Sequence, residues 1–217
     1  MTGVQTCALP ILPQTPKAPN LPLAEVQYSK GYLDQLNNVL RLNFNQLDNM
    51  FSTLLGLTGA STLRSPNGSF YLTTQQTIPV ANTAYAVPFT NTLESNYVEI
   101  GPTTSHIITR VAGYYNFQFS AQLAKTSGST VNIWIWARLN GLDVDDSNTK
   151  IQLTGSSSAE SVAAWNFVLP MQANEYFELM WASDSTNAIL KAEAPNAFSP
   201  AIPPVILTAT FVSALYS

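Results

Sequence analysis

The stretch Gly113–Leu123, GYYNFQFSAQL, decides the fold. Tyr115, Phe117, Phe119, Ala121 and Leu123 fall on one side of an extended chain, and Asn116, Gln118, Ser120 and Gln122 on the other. A period of two with one apolar side is the pattern of a half-buried antiparallel strand. The next strand, Val131–Leu139 (VNIWIWARL), sets Val131, Ile133, Ile135, Ala137 and Leu139 against Trp134, Trp136 and Arg138. Its second side is therefore apolar in the middle as well, and something must cover or use it. Trp134 and Trp136 read either as rings buried between sheets or subunits, or as contacts for a ligand such as a sugar.

Further strands are expected at Tyr97–Ile100, His106–Val111, Ser161–Leu169, Tyr176–Ala182, Ala188–Ala192 and Val205–Ser217. Turn-rich segments separate them, among them NGLDVDDSN and APNAFSPAIPP. Many short strands with turns between them predict a mainly β sandwich or jelly roll over residues 69–217.

Ahead of the strands the period changes. Leu33, Leu36, Leu40, Asn43, Leu47, Met50 and Leu54 recur at spacings of three and four, which is a heptad pattern of about three repeats. A helix is expected over residues 29–56, with Gly56 as its stop. Phe44 and Phe51 widen the apolar stripe, which suits a three-stranded stalk or a helix laid on its own domain. Asn43, polar within the seam, is the kind of residue that fixes register at some cost in stability. Residues 57–68 read as a linker, with Pro66, Asn67 and Gly68 as its turn. Asn67-Gly68-Ser69 also matches a glycosylation sequon, a triplet that recurs by chance.

Residues 12–28 open with LPQTPKAPNLPL, whose Pro13, Pro16, Pro19 and Pro22 favour an extended linker or docking arm. The first eleven residues, MTGVQTCALPI, match neither a signal peptide nor an activated thiol. No basic segment precedes the short apolar run, and Cys7 has no Lys, Arg or His nearby in sequence. The string resembles the translation of common sequencing-adapter DNA, so Met1–Ile11 is expected to be an artefact of metagenomic assembly, with the authentic N-terminus elsewhere.

Composition bounds the partners. Charged residues are 10% of the chain, against roughly 25% in ordinary soluble domains. A net charge of −4 with nine dispersed Lys and Arg argues against a nucleic-acid groove. No apolar run approaches the roughly 18 residues of a membrane span, so no membrane insertion is expected.

Little in the sequence suggests catalysis. His106, in TTSHIITRV, is the only histidine, and no motif places a nucleophile beside it. One His and one Cys cannot make a zinc site without carboxylates. Asp143, Asp145 and Asp146 in LDVDDSN are hard oxygen donors and a weak Ca²⁺ candidate, but Asn148 and Thr154 stand where an EF-hand needs Gly and Glu. Glu94 with Glu99, or Glu175 with Glu178, would be the carboxylate pairs of a glycosidase. The reading is of a non-enzyme without cofactors.

Four motifs in order carry a resemblance to a known family: GYYNFQFSAQL, RLNGLDV at 138–144, NEYFELMW at 174–181, and the closing TATFVSALYS at 208–217. Together they resemble the C1q/TNF-like jelly roll, and more closely the C1q-like domains of tailed-phage virion structural proteins. The resemblance implies a sandwich of about ten antiparallel strands assembling as a homotrimer. It places Tyr115, Phe117, Phe119, Phe177, Leu179, Phe211 and Tyr216 in the core or the three-fold contact. A Pro-rich arm and heptad helix stand where animal C1q proteins carry a collagen-like segment, which favours the phage setting. The expectation is a trimeric virion protein, anchored to other virion proteins by its arm and displaying the jelly roll toward a host-surface glycan or protein, as a tail fibre does. Alternatives are a head-decoration, neck or tail protein that binds only virion partners, and a secreted C1q-like module. A carbohydrate-active enzyme ranks last.

Overall fold

The structure is a computed structural model that describes residues 19–23, 27, 29–55, 65–128, 130–155 and 158–215. The adapter-like Met1–Ile11 with Cys7, most of the Pro-rich arm, Gly56 and the linker to residue 64, and Tyr216 lie outside the described residues. The chain divides into two units, Met1–Arg64 and Ser65–Ser217.

The first unit holds helix α1, Lys30–Leu55. Ser29 caps it: its Oγ accepts from the Tyr32 N–H at 3.3 Å, and its carbonyl accepts from the Leu33 N–H at 3.2 Å. Capping of this kind satisfies backbone donors that the first turn leaves over. None of the helix side chains described is fully buried. Leu36, Leu40, Asn43, Leu47, Met50 and Leu54 are half-buried, and Leu33 is 36% exposed.

The second unit contains fourteen strands among the described residues: β1 (Asn67–Leu72), β2 (Gln76–Thr77), β3 (Tyr85–Ala86), β4 (Asn91–Asn96), β5 (Val98–Ile100), β6 (Ile107–Thr109), β7 (Gly113–Lys125), β8 (Thr130–Leu139), β9 (Leu142–Asp143), β10 (Thr149–Thr154), β11 (Glu160–Met171), β12 (Tyr176–Ser183), β13 (Ala188–Leu190) and β14 (Val205–Ser213). The excess over the expected ten or so comes from short pieces: β2, β3 and β9 have two residues each.

All pairings are antiparallel, in two seven-stranded sheets. In the first sheet β7 pairs along one edge with β11 and along the other with β14 and β13, and β14 leads on to β1 and β4. The second sheet runs β10-β8-β12-β6-β5, with β9 on β8 and β3 on β12. The result is a mainly β jelly-roll sandwich preceded by one helix, the fold class read from the sequence.

Alternation along β7 places Tyr115, Phe117, Phe119, Ala121 and Leu123 in the core, each no more than 2% exposed. From the facing sheet come Val131, Ile133, Ile135 and Ala137 of β8 and Phe177, Leu179 and Trp181 of β12, all buried. The remaining aromatic expectation, Phe211, is half-buried on β14 and meets Tyr115 edge-to-face at 5.5 Å.

One turn reading is corrected. Asn67 and Gly68 are strand residues, paired with Thr210 and Ala209 of β14. Gly68 is used for space: a Cβ there would meet the ring of Phe70 two residues along the strand, at 2.5 Å from Cζ. Asn67 donates its side-chain amide to the Ser65 carbonyl. The turn signal at Asn140-Gly141 holds: both have positive φ, 48° and 80°, as a type I′ hairpin requires, and they join β8 to β9.

Candidate functional site

The outer face of the second sheet gathers the unusual chemistry of this unit. Trp134, Trp136 and Arg138 point out from β8, and the register sets them beside Ala182, Met180 and Glu178 of β12. Trp134 and Trp136 are half-buried, so each keeps part of its indole in solvent. Met180 is only 2% exposed although it lies on the outward side, so this face has packing of its own.

Polar groups fix both ends of the tryptophan pair. The Trp136 Nε1–H donates to Asp143 Oδ1 at 2.8 Å, and Arg138 Nε donates to the same oxygen at 2.7 Å. The Arg138 hydrogen bond, and then that of Trp136, hold the Asp143 carboxyl below its usual range. Asp143 also lines a recess of about 410 Å³ between the β8–β9 hairpin and the β11–β12 turn, with Asn140, Leu142, Pro170 and Glu175. At the other end, Gln152 Nε2 donates to Asn132 Oδ1 at 3.0 Å, and Asn132 Nδ2 to Asp184 Oδ2 at 2.6 Å.

Beyond Arg138 the face continues with a buried carboxylate. Glu178 Oε1 accepts from Ser105 Oγ at 2.7 Å and lies 3.5 Å from His106 Nε2, while the His106 ring stacks on Tyr176 at 3.8 Å and 9°. Serine, histidine and glutamate are thus together, but Ser105 and His106 both address the carboxylate. A nucleophilic relay needs the serine hydroxyl on the imidazole, and among the described residues no hydrogen bond joins those two.

The other carboxylates read from the sequence are placed as follows. Glu99 pairs with Arg110, Glu175 accepts from the Gln172 N–H at 2.7 Å, and Glu94 is exposed on β4 in the opposite sheet. Asp145 and Asp146 are exposed beyond β9, while Asp143 is taken by Arg138 and Trp136. Among the described residues no three His, Cys, Asp or Glu side chains gather as a metal site.

Two features were not read from the sequence. Lys125 is 2% exposed, and its Nζ donates to the carbonyls of Gly128 at 2.9 Å and Gly155 at 3.3 Å, tying two loops together. From Val162 to Pro170 the outer face of the first sheet carries no charge across three strands, the ion pair of Glu160 with Lys191 standing at its end. It presents Val162, Ala164, Asn166, Val168 and Pro170 from β11, Asn116, Gln118 and Ser120 from β7, and Ile206, Thr208 and Thr210 from β14. Val162 is 58% exposed, Val168 54% and Ile206 41%. Among the described residues β11 pairs only with β7, so its other edge borders this face.

No family model and no curated protein matches the sequence. Solved structures to which the chain is similar include Eiger TNF from S. frugiperda, at 8% identity and a TM-score of 0.46 over 71% of this chain and 97% of that one. They also include the globular domain of zebrafish complement 1qA protein, at 11% identity and a TM-score of 0.42 over 69% of this chain and 99% of that one.

Proposed function

We propose that this chain is a subunit of a homotrimeric virion structural protein of a tailed phage, whose helix holds three chains in register and whose jelly roll is displayed for host-surface attachment. The observation that carries the assembly is the seam of α1, where Leu33, Leu36, Leu40, Leu47, Met50 and Leu54 keep an apolar stripe incompletely covered in a single chain. Helices in proteins draw most of their stability from packing of the apolar face, and neighbouring copies of the same seam would bury this one. Asn43 sits within the stripe as a register mark.

The uncharged face of β11, β7 and β14 supports the same reading. Most monomer surfaces intersperse charges, whereas the buried centre of a subunit contact excludes them. An edge strand as long as β11, with its single charge at Glu160 and its one proline at Pro170, invites a neighbour. Support for the virion setting is the resemblance of the four motifs to phage C1q-like domains, together with the heptad helix ahead of them.

Gene context and immunogold labelling test the setting. Capsid, portal or tail genes beside this one, and antibody decoration of purified phage particles, are expected. A neighbourhood of secreted-protein genes with undecorated particles would overturn the virion reading and favour a secreted binding module.

A further inference from the structure

We infer that the outer face of β8 is a binding platform for a neutral glycan, with Trp134 and Trp136 stacking on sugar rings and the flanking polar groups orienting them. The inference rests on the attachment reading and names its ligand class. In a two-layer sandwich only one side of a strand must be apolar. β8 already supplies that side with Val131, Ile133, Ile135 and Ala137, so two tryptophans on its other side are not required by the core. They stand two residues apart, one strand repeat or about 6.7 Å, so the two indoles follow one another on the same side of the strand.

The polar surroundings select the ligand. Asp143 accepts from both Trp136 and Arg138, and so fixes the indole and the guanidinium relative to one another. Gln152, Asn132 and Asp184 form a second hydrogen-bonded group beyond Trp134. Such planar amide, carboxylate and guanidinium groups around aromatic faces suit a ligand that is apolar on its ring faces and hydroxylated at its rim, which describes a hexose. Charges of both signs meet here, with Lys150 and Arg138 beside Asp143 and Asp184. No block of one sign would attract a polyanion, so a phosphate-rich or nucleic-acid ligand is disfavoured. The recess beside Asp143 adds room at one end of the platform for a further sugar.

If chains pack through the uncharged face of the first sheet, this face of the second remains outward, and the copies act together through effective concentration.

The intact chain should be applied to an array of immobilised glucans, galactans, mannans and N-acetylhexosamine oligomers, beside sialylated and uronic-acid glycans. Binding to at least one neutral oligosaccharide is expected, with tryptophan fluorescence changing on its titration. Trp134→Ala and Trp136→Ala should each weaken binding about tenfold or more. Trp134→Phe and Trp136→Phe, which keep more of the packing, should give smaller losses at an unchanged melting temperature. No binding on the array, a preference for the charged glycans, or binding indifferent to both tryptophans overturns the platform. Cell binding lost to protease but not to periodate overturns it too, in favour of a protein partner. A trimer that binds no glycan sinks the platform and leaves the assembly standing; a monomer that binds glycan through Trp134 and Trp136 does the reverse.

Discussion

Phe117 of β7 stacks on Phe177 of β12 with ring centroids 4.2 Å apart and planes 7° from parallel, joining the two sheets at the centre of the sandwich. Both residues are fully buried. Truncating such a ring loses its transfer free energy and leaves a cavity that close-packed neighbours fill only in part. Phe177→Ala is therefore expected to destabilise the jelly roll by about 3–5 kcal/mol, measured by chemical denaturation. Phe177→Leu should cost distinctly less.

A charge on the uncharged face should act on assembly and spare the fold. Val168 is 54% exposed on the outward side of β11, so Val168→Lys removes no core contact of its own sheet. Unpaired and desolvated in a subunit contact, the ammonium would be costly. The expected result is a fall in sedimenting mass with an unchanged far-UV circular dichroism spectrum.

Lys125 is a different kind of buried group, because its ammonium serves backbone carbonyls. Lys125→Met keeps most of the apolar stem but leaves the carbonyls of Gly128 and Gly155 without this donor. A loss of about 1–3 kcal/mol is expected. Hydrogen exchange should rise first in the two loops that the side chain ties.

Asp143 makes stability depend on pH in the acid range. Its carboxyl is held below the ordinary value of about 3.9 by the Arg138 and Trp136 hydrogen bonds. The depressed folded value means that its contribution is full above the unfolded pKa and is lost as pH falls through the folded one. With the side chain 56% exposed, solvent screening keeps the effect well under about 1 kcal/mol. Asp143→Asn should flatten this part of the stability profile. It should also remove an acid-range change in tryptophan fluorescence, since Trp136 donates to that carboxylate.

How far the sequence reveals the fold depends on whether a residue's role is local. The period of two in Gly113–Leu123 is set by a single strand, so β7 and its buried side could be read directly. The sequence pattern carries β11 only to Leu169, whereas the strand runs on to Met171 with Pro170 in register opposite Tyr114. β4, NTLESN, was missed: it is an edge strand of turn-forming residues with no buried position to create a period. Asn67-Gly68 reads as a turn until β14 is there to pair with it. Gly113 opens the decisive stretch for a reason that only folding supplies. A Cβ there would press on the Phe211 ring and lie 2.8 Å from the Ser213 carbonyl, nearly a hundred residues away in sequence.

The candidate site was legible in part. Trp134 and Trp136 stood out because they share a strand side that the core does not need. Their setting comes from residues distant in sequence, such as Asp184 beside Asn132 and Ser105 beside Glu178, which no local pattern connects. The buried Lys125 resembles any solvated lysine until two loops close over it.

The most direct test of the account is the mass of the intact chain at micromolar concentration by light scattering coupled to size exclusion. A mass three times that of one chain is predicted, falling toward one on Val168→Lys. A mass of one chain for the unaltered protein would contradict the account, because the α1 seam and the β11 face would then have no neighbour to cover them.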